Sequence, residues 1–144
     1  MIREIPPGET ALGFRAMREM RTHLESEAAF AEEVDTVLRP EGYRLAGAFE
    51  DDSEQAVAVL GFRVMTLLAW GGRGFYIDDL VTHPDARRRG HARALLDWGL
   101  EEARRLGCGQ VHLDSATIPE RVDAHRLYFN AGMRIVAYHF MRGT

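Results

Sequence analysis

The stretch that decides the reading is Tyr76-Ile77-Asp78-Asp79-Leu80-Val81-Thr82-His83-Pro84-Asp85-Ala86-Arg87-Arg88-Arg89-Gly90-His91-Ala92. Its first seven residues are β-prone apart from Asp78 and Asp79, Pro84 breaks the run, and a helical apolar stripe follows at Ala92, Leu95, Leu96, Leu100, Ala103 and Leu106. A strand therefore leads through a turn straight into a helix. The first turn of a helix leaves its N–H groups without intrahelical partners, and the helix dipole adds partial positive charge there. Gly90 and Ala92 keep the surface low enough for a bulky anion to approach, and Arg88, Arg89 and Arg93 supply charge-assisted donors. The local chemistry is that of a phosphate or diphosphate cradle. It is not a Walker loop, because no Gly-Lys-Ser/Thr is present, and it lacks the three spaced glycines of a dinucleotide fingerprint.

Outward from this segment, the pattern predicts β-α-α-β-β-β-α-β-α-β. Ile2–Ile5 reads as a strand, Glu9–Leu24 and Ser26–Leu38 as two helices, and Tyr43–Phe49, Gln55–Trp70 and Phe75–Val81 as three strands. The breaks between those strands are short, which favours an antiparallel meander. Gly107 closes the long helix, Val111–Asp114 reads as a strand, Glu120–Ala131 as a helix and Met133–Met141 as a last strand. The strand–helix–strand unit over 75–115 requires a right-handed parallel crossover. The expected fold class is α/β, with a mixed, mostly antiparallel sheet flanked by four helices. No repeat or low-complexity linker divides the chain, so residues 1–144 are expected to form a single domain.

Composition narrows the classes. The chain has 144 residues, 46% hydrophobic and 28% charged, with a formal charge of −4. These are ordinary globular values. A net negative charge argues against wholesale nucleic-acid binding. No apolar run reaches the ~18–20 residues of a membrane span, and Met1-Ile2-Arg3-Glu4-Ile5-Pro6 does not resemble a signal peptide. The expected location is the cytoplasm, with no membrane partner. Cys108 is the single cysteine, which excludes an internal disulfide and a multi-thiolate zinc site. His83, His91, His112, His125 and His139 are scattered without i, i+4 pairing, so no obligatory metal is expected. Residues 1–72 carry 7 arginines against 13 carboxylates, and residues 73–144 carry 11 against 9. This asymmetry fits a cationic ligand meeting an anionic one, or simply two solvated faces.

Arg87-x-x-Gly90-x-Ala92, after an apolar strand, resembles the acetyl-CoA signature Q/R-x-x-G-x-G/A of the GNAT N-acetyltransferases. Ala124-His125-Arg126-Leu127-Tyr128-Phe129-Asn130-Ala131-Gly132-Met133 resembles a second family segment, A-x-x-L-Y-x-x-x-G-F, in the expected order. The likeness covers nearly the whole chain and is nearest to small bacterial members. It implies the acyl-CoA N-acyltransferase fold, with six to seven strands, and acetyl-CoA as cosubstrate. The backbones of Leu80, Val81 and Thr82 would pair with the pantetheine arm. The segment Arg87, Arg88, Arg89, Gly90, His91, Ala92 and Arg93 would hold the diphosphate, and Tyr128 would stand near the thioester sulfur.

An alkyl amine, with a pKa of ~10.4, arrives protonated and needs a carboxylate to take its proton. Asp78 and Asp79 are the candidates. Strand alternation points them to opposite faces, so one is expected to reach the site. The resemblance favours Asp79 as the base, while either aspartate alternatively bonds loop amides or an arginine. A bulged strand at Leu80–Thr82 would offer an amide to the developing oxyanion, and Tyr128 would protonate the departing thiolate. The acceptor is expected against the first two helices, where Glu25, Glu27, Glu32, Glu33 and Asp35 make that side acidic. His125 and His139 are further candidates for lining it.

Two departures from the family pattern stand out. Arg121 occupies a position, seven residues before the tyrosine, where the family often has Asn. Too few residues follow Gly132 for a full final hairpin, so the last strand is expected to be short or covered by a second subunit in a homodimer. The expected activity is transfer of acetyl from acetyl-CoA to a primary amine of a small molecule, by direct attack in a ternary complex. The alternative is a CoA-binding regulatory or interaction module of the same fold without turnover.

Overall fold

The computed structural model describes all 144 residues. They divide into two compact units, Met1–His112 and Leu113–Thr144. The first contains β1 (Ile2–Ile5), α1 (Phe14–Met17), α2 (Glu27–Glu33), β2 (Arg44–Ala48), β3 (Ala58–Leu67), β4 (Gly72–Thr82) and α3 (His91–Arg105). The fifth strand, β5 (Gln110–Leu113), straddles the boundary, and α4 (Val122–Asn130) lies in the second unit. No helix is long and apolar enough to cross a membrane.

The strands lie in the order β1-β2-β3-β4-β5, and β1 through β4 form the antiparallel meander that the short connections require. Alternation gives the sheet two apolar faces. Leu45 and Val59 face α1 and α2, joining Ile5, Phe14, Met17, Phe30, Val34 and Tyr43 in one core cluster. Leu60, one residue on, faces α3, where a side chain at Gly99 would meet Leu60 at 3.1 Å and Phe75 at 3.6 Å. Phe62 stacks on Phe75 with centroids 4.4 Å apart, and Trp98 meets Phe62 edge-on. Helices therefore cover both faces of the meander.

Four expectations are corrected. The sheet has five strands, not six to seven. Residues 133–144 form no strand: after the Met133 N–H bonds the Tyr128 carbonyl, no further backbone hydrogen bond follows, and Ile135, Val136, Tyr138, Phe140 and Met141 are exposed. Their apolar residues suit a strand, but a strand exists only with a partner, and here none pairs with it. The first expected helix is broken into a 3-10 turn at Thr10–Gly13, the single turn of α1, and further turns. Gly13 lies within that segment, and a side chain there would meet Leu45 at 3.0 Å. The second expected helix is α2 followed by a π-turn at Val34–Leu38 and a 3-10 turn at Arg39–Glu41. Ser26 caps α2 by accepting from the Ala29 N–H, 3.1 Å away.

The ladder between β3 and β4 has one irregularity. Gly61 pairs with Asp79, yet the next residue, Phe62, pairs with Ile77. Asp78 is thus the surplus residue of a β-bulge.

Candidate active site

The bulge decides which side chains meet. In a regular strand Asp78 and Asp79 would point to opposite faces. With Asp78 as the surplus residue, both carboxylates line one cavity of about 330 Å³. That overturns the expectation that alternation points the two aspartates to opposite faces. Met17, Leu24, Phe30, Val34 and Leu38 form the apolar wall, and Arg21, Glu33, Tyr43 and Tyr76 also line the cavity. Its volume is at the small end of the roughly 300–1,000 Å³ typical of ligand sites.

Both carboxylates are held. Asp79 is buried and accepts at Oδ2 from the Tyr43 hydroxyl (2.8 Å) and at Oδ1 from Arg21 Nε (2.8 Å), with Arg21 Nη2 at 2.7 Å. Arg21 Nη2 also donates to the Asp78 carbonyl at 3.2 Å. Asp78 accepts from Arg63 Nη2 at 2.6 Å and from Arg63 Nε at 3.1 Å. Burial raises the Asp78 carboxyl above its usual value, opposed mainly by the Arg63 hydrogen bond. Burial, and then the charge of Asp79, push the Tyr43 phenol well above its ordinary value, so it remains a donor at neutral pH. Gly61 makes the cluster possible: a Cβ there would stand 2.0 Å from the Tyr43 hydroxyl and 2.8 Å from Asp79 Oδ2.

The expected acidic face disperses. Glu33 alone among Glu25, Glu27, Glu32, Glu33 and Asp35 lines the cavity. Glu27 instead accepts from Gln55 at 2.6 Å, and Asp35 from Thr10 and Arg39.

At the far end of β4, Leu80, Val81 and Thr82 pair with Leu60, Val59 and Ala58 on one side. On the other side β5 is only four residues long. The Gly109 N–H just before it bonds the Arg73 carbonyl, at the opposite end of β4. Four residues span ~13 Å, whereas Leu80 lies seven residues, or ~23 Å, from Arg73. The β5 edge therefore stops short of Leu80–Thr82. Thr82 Oγ1 is the one buried side-chain polar atom without a hydrogen-bond partner.

Beyond Thr82, a 3-10 turn at Pro84–Ala86 leads to the arginine run. Arg88 has φ +62°, the sole non-glycine residue with positive φ, and Gly90 follows with φ +83°. Such conformations turn successive N–H groups into a shared concavity, an anion-binding nest. No backbone carbonyl accepts from the amides of Arg88, Arg89, Gly90, His91, Ala92 or Arg93, and the first helical bond is Ala94 N–H to Gly90 O at 2.9 Å. The side chains divide. Arg87 and Arg88 are exposed without partners. Arg89 and His91 hold Glu50 at 2.9 and 2.7 Å, and Arg93 bonds Asp97 at 3.0 Å. The hydrogen bond from His91, with that from Arg89, keeps Glu50 below its usual carboxylate range. The nest can bind a dianion through its backbone, while two of the expected guanidinium donors are already engaged.

In the second unit, Tyr128 is buried on α4. Burial raises its phenol above the ordinary value, with the Arg121 guanidinium beside it pulling the other way. His125 Nε2 lies 3.0 Å from Ser115 Oγ, and His139 Nδ1 3.4 Å from Asp114. His112, in the first unit, stacks on Trp70 with centroids 4.0 Å apart. No group of three or more His, Cys, Asp or Glu side chains gathers where a metal ion could be held. Burial pushes the Cys108 thiol up, as suits a structural residue.

Sequence reasoning missed Arg21, Tyr43, Gly61 and Arg63. Each reaches the site only through contacts 15 to 58 residues apart, and no local spacing announces them. The nearest hint is Tyr43, an aromatic with a polar tip opening an otherwise apolar strand.

Comparison with known proteins agrees with this fold. Residues 12–133 match the family described as Acetyltransferase (GNAT) family. The chain is 32% identical over 135 residues to "Uncharacterized N-acetyltransferase YhdJ" of Bacillus subtilis (strain 168), covering 93% of this chain and 91% of that one. The fold matches a ribosomal-protein-alanine N-acetyltransferase from Brucella melitensis biovar Abortus 2308 with a TM-score of 0.81, at 19% identity and 99% coverage of both chains. It also matches a structure described as a transcriptional regulator from Bacillus halodurans C-125, with a TM-score of 0.82 at 20% identity, over 100% of this chain and 99% of the other. A family match across most of the chain, together with a relative aligned over nearly its whole length, places this protein among the GNAT acetyltransferases.

Proposed function

We propose that the protein transfers acetyl from acetyl-CoA to the primary amine of a small molecule, by direct attack in a ternary complex, and that residues 1–144 act as one catalytic domain. The family match crosses the boundary between the two units, which supports the single-domain reading. The observation that carries the donor assignment is the run of unpaired amides from Arg88 to Arg93, bent around left-handed Arg88 and Gly90. Acetyl-CoA would supply an activated acetyl thioester with a diphosphate for that nest. The unpaired edge at Leu80, Val81 and Thr82 fits the pantetheine arm, and the orphaned Thr82 hydroxyl is the mark of a missing polar partner.

Asp79 takes the proton of the acceptor's ammonium, freeing the nitrogen lone pair. That nitrogen bonds to the acetyl carbon as the carbon–sulfur bond breaks. A backbone N–H within Leu80–Thr82 stabilises the carbonyl oxygen. Tyr128, protonated at neutral pH, gives the departing thiolate its proton; solvent carries the second proton shed by the nitrogen back to the phenol and takes up the one on Asp79, so the transfer yields amide, thiol and one proton. Asp78 lines the same cavity with a raised carboxyl and is the second candidate for the base.

A thiol-release assay with acetyl-CoA against a panel of small amines, polyamines, aminophosphonates and peptides tests the reading. Thiol release that depends on an amine is expected. Calorimetric binding of CoA without release for any acceptor would instead make the protein a binding module.

A further inference from the structure

We infer that the acceptor is a zwitterion: a primary amine with a carboxylate on the neighbouring carbon and an apolar side chain, in the manner of a hydrophobic α-amino acid. The inference rests on the acetyl-transfer reading and concerns the cavity that holds Asp78 and Asp79. Two arginine–carboxylate pairs furnish its polar end, Arg63 with Asp78 and Arg21 with Asp79. Only Arg21 of the two arginines lines the cavity. Its Nε and Nη2 are engaged, but Nη1 has no partner, and its side chain is 44% exposed.

An ammonium placed against Asp79 cannot avoid this guanidinium. Arg21 Nη2 lies 2.7 Å from the Asp79 oxygen, and a charge-assisted bond puts the amine at ~2.7–2.9 Å from the same carboxylate. A simple cationic amine would therefore meet a like charge beside its carboxylate, although Asp78, Asp79 and Glu33 leave the lining negative as a whole. An acceptor that brings its own carboxylate turns that repulsion into attraction. The amine addresses Asp79 and the carboxylate accepts from the free N–H groups of Arg21 Nη1. An α-amino acid carries both groups on one carbon, matching the adjacency of Asp79 and Arg21. The remaining wall, Met17, Leu24, Phe30, Val34 and Leu38, suits an aliphatic or aromatic side chain. Glu33 lines the cavity, exposed and without a partner, and disfavours an acidic one.

The test pairs acceptors of one body. Leucine and phenylalanine are compared with isopentylamine and phenethylamine, which lack the carboxylate, alongside an aminophosphonate and cadaverine. Thiol release and calorimetric binding are both measured on wild type, Arg21→Ala and Arg21→Lys, with melting temperatures confirming the fold. The amino acids are expected to exceed their decarboxylated partners by tenfold or more in kcat/KM. Arg21→Ala removes a partner of Asp79 and should lower kcat/KM for both classes, but the amino acids should lose about tenfold or more beyond the plain amines, an excess partly restored by Arg21→Lys. Preference for the aminophosphonate would assign the same subsite to a phosphonate instead of a carboxylate. Equal use of plain amines, a preference for cadaverine, or an equal loss for both classes in Arg21→Ala would overturn the inference. If no amine releases thiol, the transfer reading falls. Arg21-dependent calorimetric binding of the amino acids would still uphold the subsite, and its absence would sink that too.

Discussion

The anion nest before α3 and the cavity beneath α1 and α2 are built on opposite plans. In the nest the backbone would do the binding: six consecutive amides are unpaired, and the side chains around them are either free in solvent or tied to Glu50 and Asp97. In the cavity the side chains do everything, and both aspartates are satisfied, by Tyr43 and Arg21 in one case and Arg63 in the other. A backbone site tolerates many side chains but few conformations. A side-chain site tolerates neither a lost partner nor an added atom.

That contrast predicts separable failures. The largest effect belongs to Asp79→Asn, which should lower kcat by about 10²–10⁴-fold while leaving calorimetric affinity for CoA within twofold of wild type. A matching loss of CoA affinity would mean the two regions are not independent. Gly61→Ala comes next. It forces a methyl group onto the Tyr43 hydroxyl and should cost about 1–3 kcal/mol in denaturant unfolding, with a loss of kcat. Adding Tyr43→Phe removes the hydroxyl at 2.0 Å but keeps the ring carbon at 2.6 Å, so the double variant should recover only a minor part of the unfolding loss; full recovery would show that the hydroxyl alone sets the strain.

The nest responds differently. Gly90→Val puts a β-branched residue at φ +83°, and should raise KM for acetyl-CoA about tenfold without changing the acceptor KM. The smallest effect concerns the body of α3. Glu102 bridges Arg105 of its own helix and Arg44 of β2, and these bonds, led by Arg105, hold its carboxyl at about 2, below its usual 4.5. A lowered carboxyl stabilises the fold above the unfolded value of about 4.5, and that stability is lost as pH falls toward 2. The melting-temperature gap between wild type and Glu102→Gln should therefore be widest near neutrality and close between pH 5 and 2; a gap independent of pH would show packing, not charge.

The same contrast explains what was legible in the sequence. The nest could be read from Arg87 to Arg93 because its parts are contiguous and its chemistry follows from where a helix begins. The meander, the long α3 and the closing Gly107 were equally local. The cavity could not be read, since Arg21, Tyr43 and Arg63 converge only through the fold. Alternation, a sound rule for a regular strand, sent Asp78 and Asp79 apart because a bulge leaves no signature in the residues themselves. The last strand failed for another reason: Met133–Met141 has the right residues, but pairing is a property of two segments and composition describes one.

The surplus residue in β4 governs more than two carboxylates. Were Asp78 instead drawn into regular pairing with β3, one half of β4 would have to slip by a residue. Everything upstream would then be half a pleat out of step with everything downstream. Phe75 and Ile77, now sealed against α3 or the sheet, would trade sides with Tyr76 and Gly74, or Leu80 and Asp79 would do so instead. The hydrophobic interior on one half of the strand and the chemistry on the other are thus phased by one peptide unit, and neither can be re-registered alone.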